Sequence, residues 1–132
     1  MDVQNRIRTE VLGWPNVEEA PHRFGGLEFR LGRRELGHLH GDRLADLPFP
    51  VRVREELVRD GRALPHHVLP DSGWVSYPIR SEADIPGAIA LFRLAYDRAV
   101  AAGGQRRRQA DEAADSEAPV VADDDLDTGF TP

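Results

Sequence analysis

The segment over residues 27–47 alternates in hydropathy and is interrupted by glycine turns, and this constrains the fold more than any other feature of the chain. At its start, the sequence LEFRL alternates three apolar with two charged residues, a pattern typical of a half-buried strand. Gly32-Arg33 fits a tight turn, and Gly41-Asp42 is a two-residue hairpin signal. We therefore predict strands over 26–31, 34–40 and 43–47. Tight turns join antiparallel neighbours, so an antiparallel sheet is expected.

Apolar residues at helical spacing mark other segments. Val3, Ile7 and Val11 recur every four residues and indicate the first helix. The remaining predicted elements are helices over 2–12, over about 50–60 and from Asp84 to Gly103-Gly104, and strands over 63–69 and 74–79. The order α-β-β-β-α-β-β-α predicts an α+β fold of two layers, in which three helices cover one face of the antiparallel sheet.

Acidic residues are concentrated at the end of the chain. The net charge of the 132 residues is −6, and residues 103–132 hold three arginines and eight acids, a balance of −5. Residues 1–102 therefore carry only −1. Because the terminal segment also has few side chains to bury, we predict a single folded domain over 1–102 and a disordered acidic tail over 103–132.

Cysteine is absent from the sequence. This excludes a disulfide scaffold, an iron–sulfur cluster and a thiol nucleophile. No apolar run resembles a signal peptide or a membrane span, so we expect a cytoplasmic protein without a membrane partner. The nearly neutral folded part lacks the basic face of a nucleic-acid-binding protein, and no nucleic-acid partner is predicted. The sequence leaves the oligomeric state open.

All five histidines lie between residues 22 and 67, and four of them form two close pairs. With cysteine absent, imidazole is the only side chain here whose ordinary pKa lies near neutrality. On a strand, His38 and His40 point to the same face, together with Leu36 and opposite Leu39. Two imidazoles so placed could share a metal ion or move a proton on a bound substrate.

The second pair, His66 and His67, points to opposite faces if its segment is extended. At most one of the two then joins the first pair, unless Pro65 bends the strand. One interpretation is a convergent site of His22, the first pair and one residue of the second. The other is a set of separate polar positions on the exposed sheet face or at strand ends. A zinc site needs three or four ligands, whereas His38 and His40 supply only two. No metal ligand is therefore predicted.

Three further side chains bear on such a site. Asp42 and Asp46 flank the first histidine pair, and either could accept a proton from an imidazole nitrogen and so orient the ring. Asp42 is also a natural turn residue, and Asp46 could equally be solvated. Trp74 faces away from the apolar side of its strand, so it either forms the floor of a pocket or packs under the last helix.

Four motifs surround the histidines, and they read HRFGGLEF at 22–29, ELGHLHGD at 35–42, DLP at 46–48 and PHHVLPDSGWV at 65–75. They resemble those of the luciferase domain family, in which small bacterial proteins are grouped with the fungal luciferases. The resemblance runs from about residue 12 to 100. The order of elements is also similar to that of MmcQ/YjbR-type domains, which would suit a non-catalytic role.

The resemblance implies a pocket for a small planar acid. Fungal luciferases oxidise a hydroxylated pyrone with dioxygen and without an organic cofactor, so no cofactor is expected here. The implied catalytic residues are His38, His40 and His67. The residues expected to bind the substrate are His22, Arg23, Arg30, Trp74 and His66, and of these either Arg23 or Arg30 would hold the substrate anion.

Three functional hypotheses follow from the sequence. The first is an oxygenase-like enzyme that acts on a small planar aromatic or pyrone-type substrate with a histidine as general base. The second is a non-catalytic protein that binds a metal ion or a small ligand. The third is a protein-interaction module that uses its acidic tail.

Overall fold

The computed structural model describes residues 2–22 and 25–116 of the chain. The elements are α1 (Val3–Leu12), β1 (Val17–Pro21), β2 (Leu27–Leu31), β3 (Arg34–His40), β4 (Leu44–Pro48), α2 (Val51–Arg59), β5 (Leu64–Pro65), β6 (Trp74–Pro78) and α3 (Ile85–Ser116). A single 3-10 turn, Glu82–Asp84, leads directly into α3. The strands form one antiparallel sheet in the order β1-β2-β3-β4-β6-β5.

These elements confirm the predicted α+β fold with an antiparallel sheet and three helices. The structure adds β1, which pairs with β2 so that Val17 lies opposite Leu31. The sequence VEEAP does not alternate in hydropathy, and its edge position leaves most of it exposed, so patterning did not indicate this strand. The strand predicted over 63–69 is wrong in extent, since β5 ends at Pro65, where the missing N–H weakens the ladder.

The core lies between one face of the sheet and the helices. Val3, Ile7 and Val11 of α1 are completely buried, which confirms the stripe seen in the sequence. The long helix α3 lies across β3 and β4. Its Phe92 packs edge-on against Phe29 of β2, with ring centroids 5.4 Å apart. The opposite face of the sheet does not contribute to this core, and it carries polar side chains such as those of His38 and Asp46.

A bulge in β3 decides which of its side chains reach the core. The register between β2 and β3 shifts after Phe29, and Leu36 is the extra residue. Leu36 and Leu39 are therefore both buried in the core, whereas His38 lies on the opposite face. The prediction that Leu36 shares a face with His38 is wrong, because simple alternation does not hold across a bulge.

Helix α3 continues beyond its predicted end. It passes through Gly103-Gly104 and ends at Ser116, so the expected stop at the glycine pair is wrong. A helical glycine costs about 1 kcal/mol relative to alanine, but the residues that follow are mostly good helix formers. The predicted tail therefore begins as a continuation of α3, and its part beyond Ser116 lies outside the described residues. Among the described residues, no helix has both the length and the apolar character to cross a membrane.

Candidate functional site

The sheet face opposite the core carries a pocket with a volume of about 640 Å³. Strands β2, β3, β4 and β6 contribute its floor and walls, and the loop after β5 closes one side. The charged, imidazole and indole side chains that line it are His22, Glu28, Arg30, Glu35, His38, His40, Asp46, His66, His67 and Trp74. All five histidines of the chain therefore meet at one pocket, one more than the convergent interpretation of the sequence allowed.

Asp46 lies at the centre of the histidines, with 1% of its side chain exposed. Its Oδ2 atom is 3.0 Å from His40 Nε2 and 3.2 Å from His67 Nε2, both at hydrogen-bond distance. The Nε2 atoms of His38 and His66 each lie 3.6 Å from the same oxygen. Four imidazoles from two segments of the chain thus surround one carboxylate oxygen. We call these five residues the Asp46 cluster.

Strand pairing places the first half of the Asp46 cluster. His38 of β3 is opposite Asp46 of β4, and Asp46 is opposite Ser76 of β6, so the three side chains form a row on one face. Ser76 Oγ donates a 2.6 Å hydrogen bond to Asp46 Oδ1 and leaves Oδ2 to the imidazoles. Glu28 of β2 continues the row on the far side of His38. A buried carboxylate needs such partners to remain ionised.

The second half of the Asp46 cluster comes from the loop after β5. Because β5 ends at Pro65, His66 and His67 are not on a strand, and both rings reach Asp46. The prediction that these two side chains point to opposite faces is therefore wrong. The two rings stack with centroids 4.4 Å apart. Ser76 also holds this loop, since its Oγ accepts a 3.3 Å hydrogen bond from the His67 N–H.

Hydrogen bonds at the outer ring nitrogens assign opposite tautomers to His38 and His66. His38 Nδ1 lies 2.7 Å from the Glu35 carboxylate, which can only accept, so Nδ1 carries a proton. His66 Nδ1 accepts 3.1 Å hydrogen bonds from the backbone N–H groups of Val68 and Leu69, so the proton of the neutral ring is on Nε2. Toward the central carboxylate, His66 therefore presents an N–H group, whereas neutral His38 presents a lone pair.

Burial and charge together determine the protonation states of the cluster. Burial alone would lower the pKa of His38, but the carboxylates of Asp46 and Glu35 outweigh it and raise the pKa to about 9. Burial alone would raise the pKa of Asp46, but His38 and its other hydrogen-bond partners hold that pKa well below its usual range. For His66, burial outweighs the nearby carboxylate and lowers the pKa. At neutral pH the site thus holds an ionised Asp46 beside a protonated His38.

Two aromatic residues predicted to bind substrate lie in the same pocket. His22 stacks on His38 with centroids 3.9 Å apart, and burial together with the nearby His38 lowers its pKa. Trp74 lies on the pocket side of β6, with its ring centroid 5.5 Å from that of His38 and 5.9 Å from that of His66. Of the two positions considered for Trp74, the structure therefore selects the pocket.

The charges of the described lining residues are mostly negative. Glu28, Glu35 and Asp46 supply three carboxylates, against one guanidinium from Arg30. Arg30, predicted to hold a substrate anion, lines the pocket but bonds to Glu28, which offsets its charge. Arg23, predicted for the same role, lies outside the described residues.

Sequence reasoning missed the central position of Asp46. Asp42, considered as its equal, accepts a 2.8 Å hydrogen bond from the Gln4 N–H at the start of α1 instead. Glu35 and Ser76 were not singled out at all. The sequence LADLP contained a signal for Asp46, because it places a single acid between apolar neighbours. On a strand whose apolar neighbours face the core, this acid faces the opposite side of the sheet.

Among the residues that the structure describes, three groups of side chains place potential metal ligands within 4.8 Å of one another. They are His38, His40 and Asp46; Asp46, His66 and His67; and His22, Glu35 and His38. The first two groups share Asp46 and lie within the Asp46 cluster. Tertiary structure thus adds Asp46 as a third ligand to His38 and His40, which the sequence could not identify.

A comparison with protein families places the site within a known domain. Residues 33–95 match the family model described as Luciferase domain. Over this range the chain is similar to the Luciferase domain family. The match confirms the resemblance of the motifs at 35–42, 46–48 and 65–75, but it leaves out the motif at 22–29 and is shorter than the expected span of about 12 to 100. It includes the whole Asp46 cluster together with Glu35, Trp74 and Ser76, and it leaves out His22.

Searches among curated proteins and among solved structures gave no match. The similarity of element order to MmcQ/YjbR-type domains therefore stays a prediction. The same holds for the roles of the individual site residues.

Proposed function

We propose that this luciferase-domain protein is an oxygenase-like enzyme that binds a small planar acid in the pocket and activates it at the Asp46 cluster. The observation that carries the proposal is the convergence of four imidazole nitrogens, at 3.0 to 3.6 Å, on the buried Oδ2 atom of Asp46. Ionisable groups that share a cleft and shift one another's pKa are typical of functional sites. The family match adds an association with luciferases.

The shape of the pocket suits a flat ring. Its volume of about 640 Å³ is within the range of small-molecule sites. Trp74 offers an aromatic surface, and its buried Nε1 has no hydrogen-bond partner among the described residues, so it can donate to an oxygen of the ring. Val68 and Leu69 line the rim and are exposed, which adds apolar contact for a ring at the entrance.

The proposed reaction uses dioxygen as the oxidant. A histidine of the pocket removes the proton of a ring hydroxyl group of the substrate, a step that contributes on the order of 10²–10⁴-fold when the base is well placed. A ring carbon next to the C–O⁻ carbon forms a C–O bond with dioxygen while the C–O⁻ group becomes C=O, and the proton returns to the terminal oxygen. One C=C–OH unit and one dioxygen thus become one ketone and one C–O–O–H group. The partner of this enzyme is a small molecule, without nucleic acid or membrane, and a cytoplasmic location is part of the proposal.

Oxygen uptake tests the proposal directly. A hydroxylated pyrone and a hydroxybenzoate serve as planar acidic probes, and consumption of dioxygen is followed with an electrode. We expect uptake by the wild-type protein and a loss of at least about 100-fold in His40→Gln and in Asp46→Asn. Asp60→Asn is the matched control, because Asp60 is an exposed acid at the C-cap of α2. This variant should keep full activity. Unchanged uptake in His40→Gln, or none by the wild type with either probe, would refute the proposal.

A further inference from the structure

We infer that His38, His40, His67 and Asp46 bind one divalent transition-metal ion, and that His66 does not ligate it but directs its Nε2–H toward Asp46. This inference goes beyond the proposed function, since the ion can bind whether or not the pocket oxidises a substrate. It assigns different parts to two histidines that are neighbours in sequence.

Hydrogen bonding alone does not account for the convergence on Asp46. One oxygen of an ionised carboxylate has about two lone-pair sites, and here four imidazole Nε2 atoms surround it. Two of the four, from His38 and His66, are 3.6 Å away, beyond hydrogen-bond distance. A group of side chains held this close without enough hydrogen bonds is better explained by a shared ion.

The spacing of the ligand atoms fits a single ion. With bonds of about 2.1 Å, adjacent ligand atoms lie about 3.0 Å apart in an octahedral site and about 3.4 Å apart in a tetrahedral one. From Asp46 Oδ2, the Nε2 atoms of His40, His67 and His38 are at 3.0, 3.2 and 3.6 Å. The ligand atoms of His38, His40 and Asp46 all lie within 4.8 Å of one another, and an inward movement of the His67 ring would add its Nε2 atom as the fourth ligand.

The tautomers separate ligands from the supporting residue. A metal-bound imidazole nitrogen must offer its lone pair, and the other ring nitrogen then donates to a carboxylate or carbonyl. His38 meets both conditions once the ion replaces the proton on its Nε2, because its Nδ1 contacts Glu35 at 2.7 Å and its Nε2 faces Asp46. His66 meets neither, because Val68 and Leu69 donate to its Nδ1 and leave the proton on Nε2.

The charge of the pocket also favours a cation. A bound ion would displace the proton of His38, and with neutral imidazoles the described lining residues carry three carboxylates and one guanidinium, a balance of −2. An anionic substrate would be repelled by this balance, whereas a divalent ion would bring it to zero. The ion would thus make the same pocket suitable for the planar acid of the proposed function.

The ligand set indicates the class of metal. Three imidazoles and one carboxylate suit divalent iron, cobalt, nickel, copper or zinc rather than calcium or magnesium, which prefer oxygen ligands. Asp46 and His38 close the inner side of the site, while the side chain of His67 is 50% exposed toward the pocket. This leaves room for an additional ligand from solution, as in catalytic rather than structural sites.

Cobalt binding tests the assignment without reference to catalysis. The full chain is made without a histidine tag, stripped with EDTA and titrated with Co²⁺ under nitrogen. Binding is followed by the visible absorption of the ion and by elemental analysis. We expect one Co²⁺ per chain, with Zn²⁺ competing for the same site. His67→Ala should lower the affinity by more than about 100-fold, and Glu35→Gln, which removes only the support of His38, by about 10–100-fold.

His66→Ala is the matched control, because it removes the neighbouring imidazole from the same loop. It should keep one Co²⁺ per chain with less than about a tenfold loss of affinity, within the range of a supporting residue. A wild-type protein that binds neither Co²⁺ nor Zn²⁺ at one equivalent would overturn the inference. So would a His66→Ala loss as large as that of His67→Ala. Stoichiometric binding without any oxygen uptake would support the metal site and reject the proposed function.

Discussion

Replacing Gly37 by alanine tests the bulge that separates the core from the site. Gly37 has a φ of +151°, and a Cβ atom there would lie 2.8 Å from Phe92 Cε1, 2.9 Å from the backbone oxygen of Asp46 and 2.9 Å from Leu47 Cγ. Strained backbone of this kind costs on the order of 1–3 kcal/mol. An extra carbon in a packed core costs about another 1–3 kcal/mol. We therefore expect the free energy of unfolding to fall by about 4 kcal/mol, out of about 5–15 kcal/mol for a typical domain.

Gly41→Ala is the control that isolates backbone strain. Gly41 also has a positive φ, +60°, but nothing lies within 4 Å of a Cβ atom placed there. Its substitution should cost only about 1–2 kcal/mol, the penalty of the left-handed conformation. Both variants are compared with the wild type by urea denaturation, followed by circular dichroism in EDTA so that bound metal does not contribute.

The difference between the two variants is the decisive quantity. Gly37→Ala should be about 2–3 kcal/mol less stable than Gly41→Ala, because only Gly37 faces packed atoms. Equal losses would show that Phe92 and Leu47 can move aside at little cost. The close packing of α3 on the bulge would then not be what directs His38 to the pocket.

Three further predictions concern stability. Ser76→Ala removes the 2.6 Å hydrogen bond to buried Asp46 and should cost about 1.5–3 kcal/mol in urea denaturation; a loss as small as that of the exposed control Thr9→Ala would contradict it. Phe92→Ala empties a completely buried position and should lower the free energy of unfolding by about 3–5 kcal/mol with an unchanged m-value. In EDTA, the raised pKa of His38, from 6.5 to about 9, contributes up to about 3 kcal/mol to the free energy of unfolding. This contribution is fully present below pH 6.5 and is lost as the pH rises through 9. Denaturation at about pH 6 and pH 10 should show this loss, and a His38→Gln protein with the same pH dependence would refute it.

Sequence reasoning succeeded where short-range patterns decide the structure. The apolar stripe of α1 and the alternation in β2 are both set by neighbours within a few residues, and both elements are present. The motifs around the histidines were enough for the family, as the match over 33–95 confirms. These signals do not depend on which distant segment an element packs against.

The same reasoning failed where a distant partner changes local parity. Alternation placed Leu36 with His38, but the bulge paired with β2 turns Leu36 into the core. Alternation also separated His66 from His67, but β5 ends at Pro65 and frees both rings. In the first case the pairing with a neighbouring strand, and in the second the end of a strand, interrupts the alternation of side chains between the two faces of the sheet.

By itself, the sequence determined the α+β class, the resemblance to the luciferase domain family and the set of histidines from which a site would be built. Tertiary structure alone decided that all five histidines share one pocket and that Asp46, rather than Asp42, lies at its centre. The physical reason is the register across β3, β4 and β6, which aligns His38, Asp46 and Ser76 from segments far apart in the chain. Because the sheet buries the carboxylate of Asp46 away from water, this carboxylate needs the ring nitrogens as partners.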